Sequence, residues 1–165
     1  MKKVLLGLIL VLGLFTGCIS DSDYINTVKG ISFNNGMSVE DIAVEDIKGM
    51  EFFYKNDFAK LKNDPMFAVY LYSVKFLESL KLPEEPKLKW KIEGKTENGK
   101  TVVAYTDDIE VRIQTRKNGD YIETSLNNIS VYSVKNQRKV SDEDLKLGIG
   151  LYKTLLELKR NGVVK

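Results

Sequence analysis

The sequence predicts an α+β fold, with helices and strands segregated along the chain rather than alternating. Three observations carry this. Between Val39 and Lys81 the apolar residues recur at threes and fours, and from Leu88 to Val134 the period falls to two, with turn residues between the runs. After Ser141 the helical period returns. The order expected is an N-terminal strand, two helices, an antiparallel β-meander of four to five strands and a C-terminal helix, in one domain over residues 24–165.

Each element has a local reason. Ile25, Thr27, Val28, Ile31 and Phe33 favour a strand, ended by Asn34-Asn35-Gly36, which tolerate positive φ. Ser38, with Asp41 three places on, starts a helix whose apolar stripe runs from Val39 through Ile47 and Phe53 to Leu61. Gly49 predicts a kink within it. Asp64-Pro65 starts a second helix, apolar over most of its circumference, running to Lys81.

Pro83 to Pro86 is a stiff connector, and the meander follows. Leu88, Trp90 and Ile92 alternate with lysines, Asn98-Gly99 is a hairpin turn, and Thr101 to Thr106 returns. Ile109, Val111 and Ile113 then face opposite to Glu110, Arg112 and Gln114, before Lys117 to Asp120 turns the chain again. Tyr121 to Leu126 and Ile129 to Val134 complete the sheet. Ser141 caps a last helix with Asp142, Glu143 and Asp144 in its first turn, where the helix dipole favours carboxylates. Gly148 and Gly150 are read as close packing of that helix against the sheet.

Ahead of the domain lie Lys2-Lys3, an apolar run from Val4 to Phe15, and Thr16-Gly17 before Cys18. A basic start, a short apolar stretch and small residues are the parts of a secretory signal peptide, expected over residues 1–17. The run falls short of the roughly 20 apolar residues of a membrane span. Leu14-Phe15-Thr16-Gly17-Cys18 resembles the lipobox of prokaryotic lipoproteins, in which cleavage before the cysteine leaves a lipid-modified N-terminus. That resemblance implies a fatty-acylated Cys18, a tether over residues 18–23, and a domain held on the extracytoplasmic face of the cell membrane. Loss of Lys2 and Lys3 would cancel the formal net charge of +2. The element order also resembles the topology of the helix-grip fold of START and pollen-allergen-like domains, where a curved sheet wraps the last helix around an apolar cavity. Cystatin-like open sheets fit as well.

The chain has no histidine, and its one cysteine is the expected lipid site. Thiol nucleophiles, Ser-His-Asp triads, His or Cys zinc sites, haem and iron–sulfur centres therefore have no ligands in the domain. No cofactor, metal site or catalytic residue is assigned. The balanced charge argues against a nucleic-acid partner, and Lys87, Lys89 and Lys91 read as the solvated face of a strand.

These readings favour a lipid-anchored binding or interaction module for an apolar small ligand or an envelope partner. Phe67, Tyr70, Phe76 and Trp90 are its candidate surface. The alternatives are a carboxylate-based envelope hydrolase, for which Asp107, Asp108 and Glu110 are the candidates, and a structural component of a cell-surface assembly. Asn128-Ile129-Ser130 is a glycosylation sequon that places a candidate modification at Asn128.

Overall fold

A computed structural model describes residues 19–96 and 98–165. The expected signal peptide and Cys18 lie outside the described residues. The described chain is the expected α+β open sheet, with the first strand replaced by a helix, the second helix broken, and the strand expected from Tyr121 set in a separate hairpin outside the main sheet.

Helix α1 (Asp21–Lys29) stands where a strand was expected. The Ser20 hydroxyl accepts from Asp23 N–H, and Asp21 and Asp23 occupy the first turn, so the polar residues read as a tether start a helix instead. Tyr24 and Val28, one turn apart, bury its inner face. Only Ser32 retains extended pairing, as a bridge to Ser38.

Helix α2 (Val39–Lys55) opens on a complete capping box: Asp41 N–H donates to the Ser38 hydroxyl, and Ser38 N–H donates to the Asp41 carboxylate. It runs through Gly49 without the expected break and ends instead at Asn56 and Asp57, where Asp57 takes a left-handed φ of 54°. One turn, α3 (Phe58–Leu61), follows. The expected second long helix is two short pieces, α4 (Phe67–Tyr70) and α5 (Val74–Ser79), the latter capped by Ser73. A straight helix apolar all round has to be buried on every side. Breaking it lets Phe67, Phe76 and Leu77 reach the core while Met66, Val69 and Val74 stay exposed and Tyr72 is 89% exposed.

The meander forms β1 (Lys89–Thr96), β2 (Gly99–Tyr105), β3 (Ile109–Gln114), β6 (Ile129–Ser133) and β7 (Arg138–Lys139), antiparallel in that spatial order. A separate hairpin, β4 (Arg116–Asn118) with β5 (Tyr121–Glu123), is inserted between β3 and β6, turning at Gly119. One sheet face carries Trp90, Ile92, Val102, Ala104, Val111, Ile113 and Val131, set side by side by the register. The opposite face carries Lys91, Glu110 and Arg112, yet Val103 there is fully buried. Lys91 and Arg112, each paired with both Glu93 and Glu110, frame it, and their alkyl stems supply apolar cover.

Helix α6 (Asp142–Arg160) is capped by Ser141 as expected. It runs antiparallel to α2 and packs principally on it, with Glu45 paired to Lys153 at 2.7 Å. The helix between sheet and solvent layer is therefore α2, and the last helix is the outer cover, unlike a helix-grip arrangement. Gly148 serves the close approach of α6 to Gly49 of α2 rather than to the sheet, and Gly150 faces open space.

Candidate functional site

An antiparallel sheet has two ends, and each gathers different connections. At one end lie the β1–β2 turn, the end of β3 and the start of α1. The Thr115 hydroxyl donates to Lys100 O, so Tyr24 donates its hydroxyl to Thr115 at 2.7 Å, across a buried contact. Asp21 pairs with Lys100 at 2.7 Å, and the Lys100 ammonium lies 4.6 Å from the Tyr24 ring centre. The start of α1 is fixed there.

At the other end five segments converge: the last turns of α2, Asp57 with α3, the Pro83-Glu84 connector, the β2–β3 turn and the β6–β7 turn. They enclose a cleft of about 740 Å³. Its parts are tied together by main-chain groups. Val134 N–H donates to Asp108 O at 2.8 Å, joining the two turns. Asn56 donates to Lys81 O and accepts from Lys81 N–H, while Lys55 donates to Leu82 O, so the connector is clamped to α2. The buried Ser133 hydroxyl accepts from both the backbone and side-chain N–H groups of Asn136. Among the described residues, the non-glycine positions with left-handed φ are Asp57 and Gln137. The first lines the cleft and the second lies between Asn136 and Arg138, which also line it. Such backbone costs of order 1–3 kcal/mol and concentrates at functional sites.

The cleft is lined by charges of both signs, Glu51, Asp57, Glu84 and Asp108 together with Lys55, Lys60, Lys135 and Arg138. Glu51, Glu84 and Asp108 also line a neighbouring recess of about 450 Å³, so the two hollows adjoin there. Lys60, Lys135 and Arg138 line only the cleft; Lys60 lies 3.8 Å from Asp57, and Lys135 follows Val134, whose N–H meets Asp108 O. Among the described residues no cation lies within salt-bridge distance of Glu51, Glu84 or Asp108, and no carboxylate within that distance of Lys135 or Arg138. Partial burial pushes the Glu51 carboxyl above its ordinary range; Thr106 opposes this, the Asp108 charge adds to it, and Lys55 opposes it.

The residues singled out in the sequence are scattered. Asp108 lines the cleft, and Asp107 lines the recess, where it faces Lys89 at 3.8 Å. Glu110 is on the outward sheet face: partial burial opposes its ionisation, but Arg112 and Lys91 outweigh this and hold its carboxyl below the usual range. Phe67 meets Phe58 edge-on at 5.8 Å between ring centres and Phe76 packs against the core, with Tyr70 tilted on Phe76 at 5.6 Å. Trp90 lies on β1 beneath the Lys29 ammonium, 5.4 Å away. None of these four aromatics lines the cleft or the recess. Asn128 is exposed, at the end of a 3-10 turn before β6. Glu51, Lys135 and Arg138 escaped sequence reading. Their one local signal is the polar Lys135-Asn136-Gln137-Arg138 run, which reads only as a turn.

Among the described residues no group of three or more acidic or cysteine side chains is placed to hold a metal ion. No helix among them is long and apolar enough to cross a membrane. Comparison of the chain with protein families, curated proteins and solved structures found no match.

Proposed function

We propose that this chain is a lipid-anchored extracytoplasmic binding module, held to the membrane through Cys18, whose ligand site is the cleft at the far end of the sheet. The observation that carries the reading is the opposition of the two ends. Helix α1 begins three residues after Cys18 and is pinned beside Lys100 and Thr115, whereas the cleft opens beyond Tyr105 and Ser133. An acylated Cys18 would thus turn the cleft away from the bilayer. The volume falls within the range of small-ligand sites, and the clamped connector and hydrogen-bonded turns supply a preformed wall.

Glu51 and Asp108 give the rival hydrolase reading a pair of neighbouring acids. Lys55, Lys60, Lys135 and Arg138 in the same lining favour binding instead, because an acid–base pair alone calls for no such number of cations.

Fractionation of cells making the full chain tests the anchor. The protein is expected in the membrane fraction, released by detergent, and Cys18→Ser is expected in the soluble fraction. A Cys18→Ser protein that stays with the membrane to the same extent would overturn the reading.

A further inference from the structure

We propose that Asn118 is a self-modifying residue: the Gly119 main-chain nitrogen attacks its side-chain amide, and the residue converts to aspartate and isoaspartate. The chain carries four Asn-Gly pairs, beginning at Asn35, Asn98, Asn118 and Asn161. Glycine leaves the attacking nitrogen unshielded, because no Cβ stands beside it. All four share that local chemistry, so the fold decides among them. In the reaction Gly119 N loses its proton to hydroxide and bonds to Asn118 Cγ. The bond from Cγ to Nδ2 breaks, and Nδ2 takes a proton from water and leaves as ammonia. The five-membered imide then takes up one water at either carbonyl. Opening at one gives aspartate; opening at the other gives isoaspartate, with an extra carbon in the main chain.

Three of the pairs are held against this. Gly36 N–H donates to Phe33 O at 2.8 Å, and Asn35 Oδ1 accepts from Met37 N–H at 3.1 Å. Gly162 N–H donates to Lys159 O at 3.1 Å, in the turn that ends α6. Gly99 lies within β2, packed so closely on the Thr115 carbonyl that no side chain would fit, and Lys117 N–H donates to Asn98 O. A nitrogen held in a hydrogen bond must first be released, and packed main chain cannot swing it onto the amide carbon. Asn118 and Gly119 meet neither obstacle. Gly119, at φ 61°, is the first central residue of the two-residue turn between β4 and β5, the position a type II′ turn reserves for glycine. Asn118 pairs with Tyr121 to close that turn, and among the described residues no backbone acceptor meets Gly119 N–H. Both residues are exposed, and nothing lies within 4 Å of where a Gly119 Cβ would stand. The side chain has one tie among the described residues, from Nδ2 to Glu123 Oε1 at 3.0 Å on the surface. Conversion sets a carboxylate against Glu123 where that donor stood, and isoaspartate also spoils the pairing with Tyr121, so the product hairpin is looser.

The test keeps the full chain, in detergent, in mildly alkaline buffer below its unfolding temperature, with a second sample in concentrated urea. Peptide mass spectrometry and enzymatic methylation of isoaspartate follow all four asparagines. In the folded chain Asn118 is expected to convert about tenfold faster than Asn35, Asn98 or Asn161, the order of magnitude that one retained hydrogen bond imposes on a rate. In urea the four rates should converge. Conversion of folded Asn118 no faster than the other three would overturn the assignment, and an excess that persists in urea would overturn its origin in the fold. Asn118→Gln should remove most of the isoaspartate formed by the folded chain; an unchanged yield would place the reaction elsewhere. Amide hydrogens of Tyr121 to Glu123 are expected to exchange faster in the converted fraction, separated by ion exchange, than in the parent. Equal exchange would overturn the loosening of the hairpin.

Discussion

Asp46 is a carboxyl group whose neutral form the fold favours. It sits buried in the middle of α2, and burial, with the neighbouring Glu45 charge adding, pushes its pKa from 3.8 up to about 7. The folded state therefore holds this proton more tightly than the unfolded state. Stability from this group is complete below about pH 4, is lost progressively as pH rises toward 7, and is gone above that. The full loss is on the order of 4 kcal/mol. Asp46→Asn, which cannot ionise, is expected to unfold at higher urea concentration than the parent at pH 8 and at nearly the same concentration at pH 4. An equal gain at both values would show that Asp46 is already ionised in the native protein. Residues of this kind are poorly legible in a sequence. Asp107-Asp108 is visible as a turn, and so one cleft residue could be named in advance. Glu51 reads as the polar face of a helix, because its partly buried setting is made by a turn more than fifty residues away.

At the scale of elements, the contact between α2 and α6 is a backbone contact. A Cβ at residue 148 would stand 2.6 Å from the Gly49 carbonyl oxygen, and one at residue 49 would meet Ile149 at 2.6 Å. Backbone cannot step aside as a flexible side chain does. Gly148→Ala is expected to cost about 1–3 kcal/mol by forcing the helices apart. Gly150→Ala, two residues on with nothing within 4 Å, is expected to stabilise α6 by up to about 1 kcal/mol. Chemical denaturation of the two variants checks both signs. The same glycines show where element reading succeeds and where it stops. Capping residues and alternation located α2, the meander and α6, because those signals act within a few residues. The β-branched run Ile25 to Ile31 favoured a strand, but Ser20-x-x-Asp23 repeats the capping pattern of Ser38-x-x-Asp41, and burial of Tyr24 and Val28 decided for α1. The second long helix failed because periodicity does not report how much surface a small domain has available for burial. Gly49 was read as a weak point in α2, since the residue it accommodates is a hundred positions away.

The molecule as a whole has a polarity set by the sheet. Strand β2 is seven residues long, so its ends are about 20 Å apart. Lys95, close enough to Asp21 to depress its carboxyl further after Lys100 has done so, marks the α1 end, and Lys135 marks the cleft. The full chain in vesicles, labelled at Lys95→Cys or Lys135→Cys, should report this polarity, since acylation leaves no other thiol. Spin-labelled headgroups are expected to quench a fluorophore at residue 95 strongly and one at residue 135 weakly; equal quenching would mean that the domain lies on its side. The fold class and the proposed anchor were readable from local pattern, whereas the cleft was not, because it is assembled from turns that the sequence keeps far apart. The short lead into α1 has one more implication. Ile19 and Ser20 alone separate Cys18 from the helix, and Ile19 is packed against the core. A leash that short leaves an acylated protein no vertical reach: its binding surface would glide at a fixed height over the bilayer, gathering what diffuses to that level and unable to stretch toward anything beyond it.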